Sequence, residues 1–175
     1  MDFWNLLQHW ERSSLKQFDK IAEFGKKLMS LDAMESVIEL VAEEAKELVD
    51  AKRCSIFIVD KEENILWTKL SDGIGRIVIG TDSGIVGDTY KTREPQLVNS
   101  PYEDKRFLSG IDKKSGFKTK NMITVPIFNS KQEVMGVIQL LNKNRFDFDE
   151  KDLELLTFFA NYVSGALELA LLKEK

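Results

Sequence analysis

A polar run that feeds directly into two apolar runs constrains this chain most. From Asp112 to Asn121 the sequence reads DKKSGFKTKN, dense in hydroxyl, carboxylate and ammonium groups. Met122–Phe128 and Val134–Leu141 follow as apolar runs around the turn residues Asn129-Ser130-Lys131. Two apolar runs of strand length bounded by turn residues predict a β-hairpin. The polar run before them cannot be buried without partners for its charges. It is expected to lie over the sheet as a loop-like cover that encloses a pocket.

The rest of the chain supplies the parts of one domain. Met1 to about Ser30 predicts a helix broken near Ser13-Ser14, with Trp4, Trp10 and Phe18 as a patch for a partner helix. Asp32 and Glu35 have the spacing of a capping box, and Val37, Ile38, Val41, Ala45, Leu48 and Val49 then recur at helical spacing up to Asp50. Arg53–Asp60 and Ile65–Leu70 form a second hairpin around Lys61-Glu62-Glu63-Asn64. Arg76–Gly80 is a third strand, Ile85–Arg93 a short helix, Gln96–Val98 an edge strand after Pro95, and a short helix is expected near Arg106. Asp149 caps a last helix with Asp152 in its first turn. Along that helix Leu153, Leu156, Ala160, Val163, Leu167 and Ala170 step by 3, 4, 3, 4 and 3, a heptad-like seam suited to a helix partner. The sum is an α+β domain. It has a roughly six-stranded antiparallel sheet, terminal helices on one face and the polar cover on the other. Residues 1–27 read as a helix for dimerisation or linkage, 28–169 as the domain, and 170–175 as the start of a helical linker to an output domain.

Composition narrows the function classes. The 175 residues and 43% hydrophobic content suffice for one core. A net charge of −4 argues against nucleic acid, which demands a basic face. No run approaches the ~18 apolar residues of a membrane span, and the N-terminus lacks a signal-peptide layout. A single cysteine, Cys54, excludes an intrachain disulfide and a cysteine-rich zinc site, which fits a cytoplasmic setting; it is expected in the core. The only histidine, His9, is expected at a surface or interface. Asp147, Asp149, Glu150 and Asp152 lack the glycine and closing glutamate of a calcium loop, so helix capping accounts for them and no metal is expected. No Ser-His-Asp set or paired-carboxylate set is visible, so no catalytic residue is assigned.

This order of parts, from about Leu28 to Leu169, resembles a GAF domain, and specifically the cyclic-nucleotide-binding GAF domains of phosphodiesterases and nucleotide cyclases. Asn142, Lys143, Phe148 and Asp152 match the family's closing motif, with Leu153 in place of its final glutamate. The resemblance implies that these residues brace the strand end against the last helix through a Lys–Asp pair. It also implies a ligand set. Ser55 would face the base from the floor; Ser71 and Asp72 would meet the purine edge; Ile85 and Val86 would offer backbone donors to a cyclic phosphate. Leu108 would sit in the lid, Asp112, Ser115 and Thr119 would close over ribose and phosphate, and Gln139 stands where the family often has glutamate. The Gln139 amide both donates and accepts, and the expected ligand is cyclic AMP in preference to cyclic GMP. The resemblance further implies a homodimer through the terminal helices and an attached signalling output such as a diguanylate cyclase. The alternatives are a dimeric spacer with an unused pocket and a sensor of another small ligand. GAF-fold methionine sulfoxide reductases need several cysteines, and Cys54 is alone. Without its relatives, Asp72-Gly73 reads as a turn dipeptide.

Overall fold

A strand turns successive side chains to opposite faces, and three strands of this chain use that alternation to separate two interiors. The computed structural model describes residues 3–71 and 75–174, with backbone alone at 3, 5–7, 9–15, 17–18, 70 and 71. β1 (Ala51–Asp60) sends Cys54, Ile56 and Ile58 to one face and Ser55 and Phe57 to the other. β5 (Met122–Phe128) sends Ile123, Val125 and Ile127 to the first face and Met122 to the second. β6 (Val134–Lys143) divides Ile138 and Leu140 from Val137 and Leu141 in the same way. With β2 (Ile65–Ser71), β3 (Val78–Gly80) and β4 (Gln96–Val98) they form a six-stranded sheet in the order β3-β2-β1-β6-β5-β4. Every pairing is antiparallel. The two turns expected in the hairpins are held by side chains. Asp60 Oδ1 accepts from the amides of Glu62 and Glu63, and Asn129 Oδ1 from those of Lys131 and Glu133. At the β1–β6 contact a Cβ on Gly136 would lie 2.5 Å from the Phe57 carbonyl oxygen, so only glycine fits.

The first face is covered by helices. α2 (Met34–Val49) buries Met34, Val37, Ile38, Val41, Ala42, Ala45 and Val49, the face that its 3.6-residue period defines. α5 (Glu150–Lys173) buries Leu156, Ala160, Val163, Leu167 and Ala170 in the same core. The heptad-like seam is therefore not open to a partner chain; its own α2 and the sheet cover it. A 3-4 spacing specifies an apolar stripe and says nothing about what lies on it. By length and composition α5 also passes for a membrane span, contrary to the expectation from apolar runs, but its buried seam is the core of this domain. Asp149 caps α5 as expected, in a reciprocal box with Asp152.

α1 (Phe3–Met29) runs without the break expected at Ser13-Ser14. Serine costs a helix interior only a few tenths of a kcal/mol against alanine, and two do not stop it. The side chains of His9, Trp10 and Phe18 lie outside the described residues; Trp4 is exposed. Phe24 and Leu28, at the end of α1, are buried in the helix-side core, so the last turns of α1 pack as part of the domain. Gly25 lets Tyr162 of α5 come close: a Cβ there would stand 2.6 Å from the Tyr162 hydroxyl, which donates to the Ile21 carbonyl. Asp32 does not cap α2. The helix starts at Met34 after Ala33, with no side-chain cap, and the Asp32 carboxylate lies 3.5 Å from Lys173 Nζ of α5.

The second face carries shorter pieces: α3 (Gly84–Thr92), a 3₁₀ turn (Pro101–Glu103) and α4 (Ser109–Ser115). The helix expected near Arg106 falls just after it. Arg106 itself is held in a turn, donating to Asp104, to Asp88 and to Gln96. The hydrogen bond to Asp104, followed by that to Asp88, holds the guanidinium protonated beyond its ordinary range, and Arg106 in turn lowers the Asp104 carboxyl. This cluster fixes the chain where it leaves β4 and rises over the sheet.

Candidate ligand-binding site

The floor of the second face is crossed by a polar row. Ser71 of β2 pairs with Ser55 of β1, Ser55 with Gln139 of β6, Gln139 with Thr124 of β5, and Thr124 with Gln96 of β4. Residues directly opposite in antiparallel strands share a face. Ser55, Gln139 and Thr124 thus fall into one line across the central strands. Thr124 and Ser55 are buried. The Thr124 hydroxyl lies 2.6 Å from that of Thr89, which also donates to the Ile85 carbonyl, and this seats α3 on the row. Gln139 has no side-chain hydrogen bond to the described residues, and its amide faces a cavity.

That cavity is walled by Ser55, Phe57 and Gln139 below, by Gly84, Ile85 and Val86 at the start of α3, and by Phe107, Leu108, Ile111, Asp112 and Thr119 above. Ile77, Ile79, Met122 and Leu141 complete its lining. Of the residues that the sequence singled out, Ser55, Ile85, Val86, Leu108, Asp112, Thr119 and Gln139 come together here. Ser71 occupies its register position opposite Ser55. Asp72 lies outside the described residues. Ser115 is not on the wall: its hydroxyl donates to the Asp112 carbonyl and accepts from the Phe117 amide, closing the end of α4.

The first turn of α3 is shaped as an anion site. Gly84 takes a φ of +70°, and Ser83 before it is extended and makes no side-chain cap. The leading amides therefore lack a side-chain partner and lie at the positive end of the helix. Gly84 also admits Leu108, whose Cδ1 would be 3.0 Å from a Cβ at that position.

The lid is latched by a carboxylate. Asp112 is buried and accepts from the Tyr102 hydroxyl at 2.6 Å, the Thr119 amide at 2.7 Å and the Thr119 hydroxyl at 2.8 Å. The hydrogen bond to Asp112 raises the Tyr102 phenol above its ordinary value. Tyr102 was not singled out from the sequence, because nothing local links it to a carboxylate ten residues on. The cavity measures about 50 Å³. Sites for drug-sized ligands span ~300–1,000 Å³, so a ligand of that size needs a wider cavity than this one.

The closing motif anchors the far end of the lid. Lys143 Nζ lies 2.5 Å from Asp152 Oδ2, tying β6 to α5. Asn142, with a φ of +59°, accepts from the Lys120 amide through Oδ1 and donates to the Lys118 carbonyl through Nδ2. Phe148 is buried and its carbonyl accepts from Asn99. The brace thus reaches the lid as well as the helix. Among the described residues no cluster of histidine, cysteine, aspartate and glutamate could hold a metal ion.

The GAF domain family model matches residues 33–167. The chain belongs to the GAF domain family. A probable 3',5'-cyclic phosphodiesterase, pde-5, of Caenorhabditis elegans is 32% identical over 157 residues, covering 82% of this chain and 21% of its own length. The dual 3',5'-cyclic-AMP and -GMP phosphodiesterase 11A of Takifugu rubripes is 34% identical over 140 residues, covering 70% of this chain and 15% of its own length. This GAF chain spans about a fifth or less of these relatives. The crystal structure of the GAF domain from an Acinetobacter phosphoenolpyruvate-protein phosphotransferase superposes with a TM-score of 0.74 at 19% identity, covering 91% of this chain and 97% of that one. That likeness carries the fold.

Proposed function

We propose that this GAF domain is a regulatory sensor that binds a cyclic mononucleotide beneath the Pro101–Lys120 lid. One observation carries the reading: Ser55, Ile85, Val86, Leu108, Asp112, Thr119 and Gln139 converge on one cavity from five separate stretches of chain. The α3 amides take the phosphate, the polar row takes the base, and the lid closes over the ribose. The relatives' names support a cyclic nucleotide and give no support to adenine over guanine, since one of them is a dual-specificity enzyme. They likewise give no support to a diguanylate cyclase output; a nucleotide-hydrolysing output fits them better. The setting is read as cytoplasmic.

Titration calorimetry and thermal shift with cyclic AMP and cyclic GMP test the reading. A nucleotide at about a hundred times its Kd stabilises the fold by about 2.7 kcal/mol. Absence of both heat and stabilisation with either nucleotide refutes it.

The homodimer reading moves to a new surface. Leu155, Phe158, Tyr162, Gly165, Leu169 and Leu172 also step by 3, 4, 3, 4 and 3 along α5, and all are exposed. This second stripe, beside α1, offers the apolar face that the buried seam does not. It favours the alternative of a dimeric spacer if the cavity of about 50 Å³ never opens. Sedimentation of the wild type against Phe158→Glu separates the two states.

A further inference from the structure

Among the described residues, two buried side-chain polar atoms lack a hydrogen-bond partner: Arg53 Nη1 and Asn99 Oδ1. Asn99 has its partner through Nδ2. Arg53 is a charged donor without an acceptor, which destabilises a fold unless something else uses it. It lies on β1 two residues before Ser55, on the face that also carries Phe57. Its strand neighbour on β6 is Leu141, which lines the cavity. Its guanidinium stands 3.9 Å from the centre of the Phe117 ring, and Phe117 packs with Met122 and Leu141. Arg53 does not itself line the cavity; it stands beside Leu141, which does, and under Phe117, two residues before the lining Thr119.

We infer that Arg53 reads the base, donating its guanidinium fork to the O6 and N7 acceptors of a guanine ring lying beside Ser55. This rests on the cyclic-nucleotide reading above. The fork presents parallel N–H groups, and guanine offers two adjacent acceptors that match it. Adenine keeps N7 but places its N6 amine where O6 would be, so donor meets donor. Ser55 and Gln139 both donate and accept and discriminate less. Stacking on Phe117 holds the guanidinium plane ready, and the unused Nη1 is the donor reserved for the ligand. Arg53 thus opposes the preference for cyclic AMP expected from the sequence.

The test is calorimetry on the full chain with cyclic GMP, cyclic IMP and cyclic AMP at one salt concentration. Cyclic IMP keeps O6 and N7 and lacks the 2-amino group. The wild type should bind cyclic GMP and cyclic IMP about tenfold or more tighter than cyclic AMP, the size of a good bidentate base contact. Arg53→Met should cut the ratio of cyclic GMP to cyclic AMP affinity by about tenfold, with cyclic GMP and cyclic IMP losing more than cyclic AMP. Arg53→Lys, which keeps the charge and loses the fork, should erase most of that advantage too. Without ligand, Arg53→Met should melt close to the wild type, because Nη1 has no hydrogen bond to lose and a methionine thioether keeps a favourable contact with the Phe117 ring. Equal losses for all three nucleotides, a wild-type-like Arg53→Lys, or unfolding of Arg53→Met would each overturn the inference and leave the sensor reading standing. A wild type that binds none of the three overturns both.

Discussion

The two faces of the sheet are built on different principles. The helix face is covered by α2, α5 and the end of α1 over one large apolar cluster, from Phe24 to Ala170, with the buried Asp152 paired to Lys143. The lid face is covered by a nine-residue helix, a 3₁₀ turn and a seven-residue helix, held by side-chain hydrogen bonds at Asp112, Thr89 and Arg106. Dispersion and hydrophobic burial on the first face are spread over many contacts, and none can be released alone. On the second face the apolar clusters are smaller and discrete side-chain bonds add to them, so the cover is expected to open at lower cost than the helix face. The proposed binding role falls to the face with the smaller apolar clusters.

Five substitutions or titrations break or sharpen that contrast. Leu156→Ala, on the helix face, should destabilise the whole domain by about 2–5 kcal/mol in urea unfolding. The same truncation at Leu108, which is 37% exposed in the lid, should cost about 1 kcal/mol or less. Equal losses at the two sites would end the comparison. Gly136→Ala sits on a strand shared by both faces and forces the β1–β6 backbones apart; about 1–3 kcal/mol of destabilisation should appear in the same assay. Asp112→Ala removes the latch and leaves the Thr119 amide without its acceptor, at about 1–3 kcal/mol. Hydrogen exchange should show lost protection from Phe117 to Asn121, with the strands of the helix face unchanged. Exchange that rises evenly through the sheet would mean that the lid is no separate unit.

The smallest effect is alkaline. The Tyr102 phenol, raised above its ordinary value of 10 by Asp112, donates only while neutral. The folded value exceeds the unfolded one, so the latch contribution is complete below pH ~10 and is lost as pH rises through the folded value. Spectrophotometric titration of the wild type against Tyr102→Phe should show one phenol ionising late. A phenol that titrates at its ordinary value would mean that the latch bond is weak in solution.

Sequence pattern reached the fold more fully than the site. Hairpins at Asp60 and Asn129, the cap at Asp149 and the period of α2 are local signals, and each is present as read. One error fell where a distant partner decided, another where near neighbours did. Asp32 had the spacing of a cap but meets Lys173, 141 residues away. Ser115 resembled a ligand contact and instead closes α4. The polar row was invisible because Ser55, Thr124 and Gln139 are isolated polar residues in apolar runs until strand pairing aligns them. Arg53 gave no signal either, since its lack of an acceptor exists only once β1 is buried beneath Phe117.

By itself the sequence determined where strands, turns and helices lie, because period, caps and turn residues act within a few positions. Tertiary structure decided which apolar stripe of α5 is core and which is surface, which carboxylate latches the lid, and which buried donor waits without a partner. Those outcomes depend on which residues far apart in the chain become neighbours, and on the water that their meeting excludes.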